Sequence, residues 1–294
     1  MAKLGICLPH YGKAMEPQGM REFAQAAEAL GFDSLWVTDH LIVPKARDML
    51  YKENMLDSLS TLSYLAGVTS RIRIGTSVIV LPYRHPVQVA KAIATADQLS
   101  GGRVTLGVGV GAVEAEFRAL NANFEERGEV ADEYLRIIRS VWTEPTADFE
   151  GKYVGFKDMM FSPPTIQHPL PPIWVGGSTR RAGRRAVELG DAWHGTNISV
   201  EQFVDISAHM RRLSEKQGRA AVPGVNVRMP VYFDQPLPAG RIGLNGSDAE
   251  VAAQAKAYVD AGAEEVVFGL IDMPFAEAMQ QLNRLSSEVA PRLR

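Results

Sequence analysis

The stretch "RIRIGTSVIVLPYRHPVQVAKAIATADQLSGGRVTLGVGVGAVEAEF", residues 71–117, contains two apolar strand patterns separated by one amphipathic helix pattern. The strand patterns cover residues 72–80 and 103–110. Pro86 suits the first turn of the intervening helix, and the Gly-Gly pair after it suits the helix end. A strand, a helix and a second strand in this order predict two parallel strands joined by a right-handed crossover.

The same alternation of strand and helix patterns continues along the rest of the chain. Helix patterns end on glycine in two further places, and Ser247 or Asp248 suits the N-cap of the last one. Eight strand patterns, nearly all followed by a helix, predict a (β/α)₈ TIM barrel of the α/β class. An open, doubly wound sheet is the alternative. The six strand patterns outside the first stretch cover residues 3–8, 34–38, 173–176, 192–196, 225–233 and 265–270.

Two insertions interrupt the regular spacing of these units. Residues 143–172 separate strands four and five, and their Pro-rich parts predict extended chain on the surface. Residues 234–246 follow strand seven. Loops of this length commonly act as lids or mobile segments, and family-specific decoration is an equal alternative. We expect one domain over residues 1–294.

The composition limits the kinds of partner. The chain has 294 residues, 46% apolar and 22% charged, with a formal net charge of -3. These values are typical of a globular protein and indicate no affinity for nucleic acid or anionic membrane. The chain has no apolar stretch near the roughly 20 residues that span a bilayer, and no signal-peptide pattern opens it. Because the single cysteine, Cys7, suits a reducing compartment, we expect a cytoplasmic protein.

Three glycines, Gly107, Gly109 and Gly111, alternate along strand pattern four. Their spacing differs from the dinucleotide fingerprint G-x-G-x-x-G, which makes a Rossmann site the weaker interpretation. Alternation by two places all three on one strand face. If that face points into the barrel, it leaves a slot near the carboxyl end of the strand, where a flat ring could lie. Relief of crowding is the structural alternative.

Polar residues stand at the ends of three strand patterns, at the edge where barrel enzymes place their active sites. Asp39 and His40 follow strand two, and an imidazole there can bind a ring, transfer a proton or hold a substrate. A local hydrogen bond or cap is the alternative. His10 and Tyr11 end strand one, and Glu116 follows the glycine strand, so these three are candidates for substrate contact.

A junction between strand five and the next helix carries small residues followed by arginines. Backbone N–H groups and the helix dipole at such a junction form an anion site, and small residues allow a phosphate to approach closely. A capped helix with a solvated basic face, its arginines paired with carboxylates, is the alternative. The small residues are Gly176, Gly177, Ser178 and Thr179, and the arginines are Arg180, Arg181, Arg184 and Arg185.

Three segments together resemble the bacterial luciferase-like superfamily, and within it the branch that uses the deazaflavin coenzyme F420. They are "LWVTDH" at residues 35–40, the stretch at 71–117, and "PPIWVGGSTRRAGRRAVELGDAWH" at 171–194. The resemblance is strong from Leu4 to about His194 and looser as far as strand eight. It implies a TIM-barrel enzyme that binds a flavin or deazaflavin ring across the strand ends, with the phosphate beyond strand five.

The resemblance also implies particular roles. In similar sugar-phosphate dehydrogenases the pair that matches Asp39-His40 contacts the deazaflavin and serves catalysis. Ser77 and Val78 match a position where relatives have a non-proline cis peptide bond that supports the ring from behind. Ala112 departs from the family, because similar proteins have tryptophan or a glutamate acid there. This departure disfavours a sugar phosphate and favours a bulkier apolar substrate.

We therefore expect an oxidoreductase that transfers a hydride between F420 and an unidentified organic substrate, with His40 as the catalytic residue. One alternative is an FMN-dependent two-component monooxygenase that uses O₂. Another is a catalytically silent barrel that binds a flavin or lipid. A homodimer and a flavin or F420 reductase are the expected protein partners, and the motifs indicate no metal site. The cofactor candidates are Asp39, Ser77, Val78, Gly107, Gly109, Gly111, Gly176, Gly177, Ser178 and Thr179.

Overall fold

The computed structural model describes residues 2–45, 54–271 and 273–294, and these contain twelve strands and nine α-helices. Eight of the strands pair in parallel around a closed ring, in which the last strand pairs with the first. The TIM barrel is therefore confirmed, and the open-sheet alternative is wrong. The barrel strands are β1 (Lys3–Cys7), β2 (Ser34–Val37), β3 (Arg73–Thr76), β5 (Val104–Gly109), β8 (Ile173–Gly176), β9 (Ala192–Thr196), β10 (Gly224–Phe233) and β12 (Glu265–Leu270).

The helices lie on the outside of the barrel, and the sequence signals set their ends. Pro86 is the first residue of α3, and Gly101, with φ of 69°, ends that helix in the left-handed conformation. Ser247 forms a capping box with Glu250 at the start of α8. The helices are α1 (Pro17–Ala29), α2 (Ser58–Val68), α3 (Pro86–Ser100), α4 (Glu114–Ala119), α5 (Arg127–Thr143), α6 (Arg180–Leu189), α7 (Val200–Lys216), α8 (Asp248–Asp260) and α9 (Phe275–Arg284).

Alternation along the strands separates two apolar regions. Leu4 and Ile6 of β1 belong to the large core between strands and helices, whereas Cys7 belongs to a small cluster in the barrel interior. Trp36 and Trp174 fill that interior, with ring centroids 4.7 Å apart. Side chains therefore fill the lower part of the barrel, and a cavity opens at the carboxyl ends of the strands.

The strand pattern at residues 72–80 is divided in the structure. β3 ends at Thr76, β4 (Ile79–Val80) follows, and the Ser77–Val78 peptide bond between them is cis. β4 pairs with the upper part of β5, while β3 pairs with its lower part. The cis bond expected from the resemblance is thus present, and the chain bulges inward at residues 77–78.

The first insertion contains an antiparallel hairpin, formed by β6 (Thr146–Glu150) and β7 (Gly155–Met160). The sequence patterns do not predict this hairpin, whereas the Pro-rich residues 161–172 after it contain neither helix nor strand, in line with the expectation of extended chain. The hairpin residues are mostly exposed, so they lack the buried periodicity that marks a strand. The Pro-rich part that follows lies against α3, where Gln98 donates a 2.8 Å hydrogen bond to the carbonyl of Pro164.

The second insertion returns to the barrel. Its last residues form β11 (Leu244–Gly246), which pairs in parallel with β10. The loop between these two strands therefore stands beside the carboxyl ends of the barrel, with both of its ends fixed by strand pairing. Within the described ranges, none of the helices has the length and apolar character needed to cross a membrane.

Candidate active site

A cavity of about 420 Å³ opens at the carboxyl ends of the barrel strands. This volume lies within the range of sites for small organic molecules. One side of the wall comes from the end of β2, the Ser77–Val78 bulge, the end of β5 and the β8–α6 junction. The other side comes from β9, β10 and the loops after β10 and β12, through Thr196, Asn197, Arg228, Pro230, Tyr232, Arg241 and Ile271.

Asp39 lines the cavity, and its carboxylate is held from three directions. Ser58 Oγ donates to Oδ1 at 2.6 Å, and the backbone N–H of Val80 donates to Oδ2 at 3.0 Å. The Arg84 guanidinium donates to both oxygens and also reaches Asp57. Burial acts to lower the pKa of Arg84, but the two carboxylates raise it overall. Asp39 therefore anchors the end of β2 to α2 and to the chain after β4.

His40 also lines the cavity, and a buried carboxylate holds it from behind. Its Nδ1 lies 2.7 Å from Glu116 Oε2. Glu116 also accepts hydrogen bonds from the backbone N–H groups of Leu41 and Ile42 and from the Tyr83 hydroxyl. The Glu116 carboxylate therefore fixes the Nδ1 side of a ring that belongs to the cavity wall.

The charges behind His40 have a defined state at neutral pH. Burial acts to raise the pKa of the Glu116 carboxyl, but the hydrogen bonds and charge that it meets from His40, Ile42 and Tyr83 lower it overall. Burial and the Glu116 carboxylate raise the pKa of Tyr83 well above its usual value. Glu116 is thus an ionised acceptor and Tyr83 a protonated donor.

The three alternating glycines make room for the bulge beside them. A Cβ at Gly107 would overlap the Thr76 carbonyl oxygen, and one at Gly109 would lie 2.6 Å from a methyl group of Val78. Gly109 and Gly111 line the cavity, whereas Gly107 lies below it. Val78 fills the space beside Gly107 and Gly109, and the open space lies beyond it, at the carboxyl end of β5.

Ser77 contacts three separate strands. Its N–H donates to the carbonyl of Val37 at 2.6 Å, and its carbonyl accepts from Arg228 Nη1 at 2.7 Å. Its hydroxyl lies 2.9 Å from Nε2 of His194. His194 is fully buried between Trp36 and the other barrel residues, and burial, with a smaller effect from the Arg228 charge, lowers its pKa to about 3. The His194 ring is therefore neutral at physiological pH.

The residues of the β8–α6 junction have two roles, since some line the cavity and one caps helix α6. Gly176, Gly177 and Ser178 line the cavity, and Gly177 has a φ of 135° that favours glycine. Thr179 does not line it, since its side chain caps α6 by accepting from the N–H of Ala182. Ion pairs occupy three of the four arginines, namely Arg180 with Asp205, Arg184 with Glu188 and Arg185 with Asp132. The cations in the cavity wall are instead Arg228 and Arg241.

The structure places the three substrate candidates outside the cavity wall. His10 is fully buried, with Nδ1 3.0 Å from the Leu8 carbonyl oxygen and Nε2 2.9 Å from that of Thr38. Burial lowers its pKa despite these backbone contacts. Tyr11 packs edge-on against His10, and Glu116 lies behind His40. Contact of these three residues with a substrate stays a prediction, and they are not among the residues that line the cavity.

Several wall residues escaped the sequence analysis. Arg228 had a usable signal, because it is the single charged residue in the apolar pattern of β10. Asn197, with a φ of 50°, and Tyr83 had no such signal in the sequence.

A second cavity of about 530 Å³ shares Tyr232, Arg241 and Ile271 with the first. Within the described residues, no group of three or more His, Cys, Asp and Glu side chains could hold a metal ion.

This barrel, with its cavity at the strand ends, can be compared with known proteins. The sequence pattern of the family described as luciferase-like monooxygenase matches residues 3–267. The chain therefore belongs to the luciferase-like monooxygenase family.

Relatives in this family use two kinds of cofactor, as their names state. An uncharacterised protein of Mycobacterium tuberculosis is 28% identical over 96% of this chain and 99% of its own length. An F420-dependent glucose-6-phosphate dehydrogenase of Amycolatopsis mediterranei is 27% identical over 95% of each chain. An FMNH(2)-dependent dimethylsulfone monooxygenase of Pseudomonas putida is 30% identical over 70% of this chain and 56% of its own.

Solved structures share the fold. An F420-dependent secondary alcohol dehydrogenase, in complex with an F420-acetone adduct, superposes with a TM-score of 0.85 at 17% identity, covering 100% of this chain and 99% of that one. At this identity the likeness concerns the barrel architecture and leaves the cofactor and the reaction open.

Proposed function

We propose that this protein binds the deazaflavin F420 in the 420 Å³ cavity and transfers a hydride between it and an organic substrate. The observation that carries the proposal is the His40 imidazole in the cavity wall, held at Nδ1 by the buried Glu116 carboxylate. Reduction of a carbonyl, or oxidation of an alcohol, moves one proton with each hydride. An imidazole positioned in this way can donate or accept that proton.

The residues present are suited to a ring with an anionic tail. Gly109, Gly176 and Val78 provide a flat wall with little side chain, and Ser178 stands at the start of α6, where backbone N–H groups favour a phosphate. Arg228 and Arg241 add two cations to the wall. F420, when bound, supplies a carbon centre that accepts or donates the hydride, and the protein supplies orientation.

Residues of the chain itself support the ring, hold the cavity wall in place, transfer the proton and exclude water. Ser77 and Val78 support the ring from behind, Asp39 fixes the end of β2 through Arg84, and His40 holds or transfers a proton. Trp36 and Trp174 fill the barrel below and keep that side free of water. Ala112 lines the cavity and leaves room at the position where relatives have a larger residue, so we infer an apolar alcohol or carbonyl compound as substrate.

FMN-dependent oxygenation is the second candidate. A named FMNH(2)-dependent relative supports it, and so does the apolar part of the cavity wall. Val80, Val110, Val113, Pro230 and Ile271 would exclude water from an O₂ reaction.

Fluorescence titration with F420 and with FMN separates the two candidates. We expect micromolar binding of F420, with FMN at least about tenfold weaker, a difference of about 1.4 kcal/mol. The opposite order would contradict the F420 proposal and favour the monooxygenase.

Ser178→Glu should weaken binding of the preferred cofactor by about tenfold or more, because it places a carboxylate at the phosphate position. Ser287→Glu is the matched control, because Ser287 is exposed and does not line the cavity. This variant should bind the cofactor as the unmodified protein does.

A further inference from the structure

His194 is a buried titratable residue without a role in the proposed reaction. It lies beneath the cavity, fully buried, with its ring stacked 5.4 Å from that of Trp36 and tilted against that of Trp174, 5.6 Å away. Its Nε2 lies 2.9 Å from the hydroxyl oxygen of Ser77, and Ser77 is a residue of the cavity wall. A polar side chain in this aromatic layer costs free energy of folding unless a hydrogen bond offsets it.

The surroundings of the ring decide which nitrogen carries the proton. A neutral imidazole has one N–H donor and one lone-pair acceptor. Nδ1 of His194 has no partner among the described residues. An unpaired buried N–H is rarer in proteins than an under-satisfied acceptor, so the proton belongs on Nε2. Nε2–H then donates to the Ser77 oxygen, and the hydroxyl hydrogen of Ser77 is left to donate elsewhere.

The backbone of Ser77 is already committed. Its N–H donates to Val37, and Arg228 occupies its carbonyl. We propose that His194 is a positioning residue, which orients the Ser77 hydroxyl as a hydrogen-bond donor to an acceptor atom of the ring bound in the cavity. The acceptor class is a carbonyl oxygen or an unprotonated ring nitrogen, which flavins and deazaflavins share. This inference rests on the proposed function, because it requires a ring compound in the cavity.

The tautomer can be measured without any ligand. Long-range ¹⁵N–¹H correlation spectra of the ¹⁵N-labelled protein, with His194→Gln for assignment, report which ring nitrogen carries the proton. We expect the Nε2–H form across the range from pH 6 to 8. An Nδ1–H ring would overturn the inference, because Ser77 would then donate to His194 and have no hydrogen for the cavity.

A double-mutant cycle on cofactor affinity tests whether His194 acts through Ser77. We expect Ser77→Ala and His194→Leu each to weaken binding of the preferred cofactor about 3- to 10-fold. The double variant should bind about as the Ser77→Ala variant does, because both changes remove the same hydrogen bond. His194→Gln, which retains an amide donor at similar reach, should bind within about twofold of the unmodified protein.

The outcomes are distinct. Losses that multiply in the double variant would show that His194 affects binding by packing alone and would overturn its positioning role. Thermal melting of each variant identifies one that fails to fold, and the cycle can then be completed with His194→Asn in place of leucine. If the unmodified protein binds neither F420 nor FMN, both the proposed function and this inference fail. Normal binding with multiplicative losses overturns the inference alone.

Discussion

At the residue scale, Asp39 and His40 are neighbours in the chain, but two separate networks hold them. Arg84 binds the Asp39 carboxylate, and the preceding residue, Tyr83, donates to the carboxylate that binds His40. Two consecutive residues after β4 therefore fix two consecutive residues after β2. Glu116 is common to His40 and Tyr83, which makes it the residue whose removal disturbs this edge of the cavity most.

Glu116→Gln tests this dependence. The variant keeps an acceptor oxygen but loses the negative charge, and we expect the free energy of unfolding at pH 7 to fall by about 1–3 kcal/mol. Because the folded-state pKa of Glu116 lies below its unfolded value, its stabilisation is complete above that unfolded value and is lost as the pH falls through the folded one. The difference from the unmodified protein should therefore narrow below about pH 4.

Urea denaturation at pH 7 and at pH 3.5 measures both effects. Glu114→Gln is the matched control, since Glu114 lies two residues earlier on α4, is largely exposed and forms a long ion pair with Arg118, at 3.9 Å. It should change the unfolding free energy by less than about 0.5 kcal/mol. Equal destabilisation by both variants would contradict the network described for Glu116.

The sequence could predict part of the cavity wall that Asp39 and His40 form. Asp39 and His40 directly follow a strand, so a TIM barrel brings them to the cavity. The pairing of His40 with Glu116 spans 76 residues and depends on the direction in which α4 leaves β5. Nothing local in the sequence encodes that direction, and Glu116 was accordingly expected to face a substrate. The burial of His10 was equally hidden in the sequence, because its partners are backbone carbonyls that any sequence would supply.

At the element scale, β5 can lie against the bulge between β3 and β4 only because the two residues that meet the bulge, Gly107 and Gly109, have no side chains. Thr76 reinforces this contact, since its hydroxyl donates to the Gly107 carbonyl at 2.7 Å and accepts from the Gly107 N–H at 3.0 Å. The alternation of glycines was visible in the sequence. Its cause was not, because the inward bulge of the neighbouring strand leaves no local pattern.

Gly107→Ala should be strongly destabilising. The added methyl group would overlap a backbone oxygen that cannot move without breaking the β3–β5 pairing, so we expect a loss of about 3 kcal/mol or more. Chemical denaturation, or loss of soluble protein, measures this loss.

Gly67→Ala is the comparison, because Gly67 lies in α2 with open space around it. This change should stabilise by about 0.5–1 kcal/mol through helix propensity. A Gly107→Ala protein with unchanged stability would contradict the close approach of β5 to Thr76.

Element prediction succeeded where burial was periodic. The barrel strands are apolar with alternating faces, and caps such as Pro86 and Ser247 marked the helix starts. The hairpin of β6 and β7 was missed because its exposed residues have no core to face. β11 was missed because three residues are too few to show a period.

At the scale of the whole molecule, the charge is unevenly placed. The chain has a net charge of -3, yet the cavity wall contains two cations, Arg228 and the exposed Arg241, against one carboxylate, Asp39, which Arg84 pairs. An anionic cofactor is therefore attracted to the cavity itself and not to the surface as a whole.

Salt should weaken the binding of an anionic cofactor at this cavity. Raising the ionic strength from about 0.05 to about 0.5 M shortens the Debye length severalfold, and we expect F420 affinity to fall about 3- to 10-fold. Riboflavin, which has no phosphate, should be affected by less than about twofold. Fluorescence titration at both salt concentrations gives these ratios.

Arg241→Gln should reduce the salt dependence for F420, and Arg292→Gln, at an exposed position in the C-terminal segment, should not. An equal salt response of F420 and riboflavin would contradict an electrostatic contribution from the cavity wall.

The hydrogen bonds that hold Asp39, His40 and Ser77 have a consequence for engineering. Each of these positions depends on partners in other elements, so single substitutions there should yield mostly inactive clones in a mutant library. Val110, Ala112 and Ile271 face the same cavity with aliphatic side chains that form no hydrogen bonds. Directed evolution of a new substrate range should therefore begin at these three positions, where variation leaves the fixed side of the cavity intact.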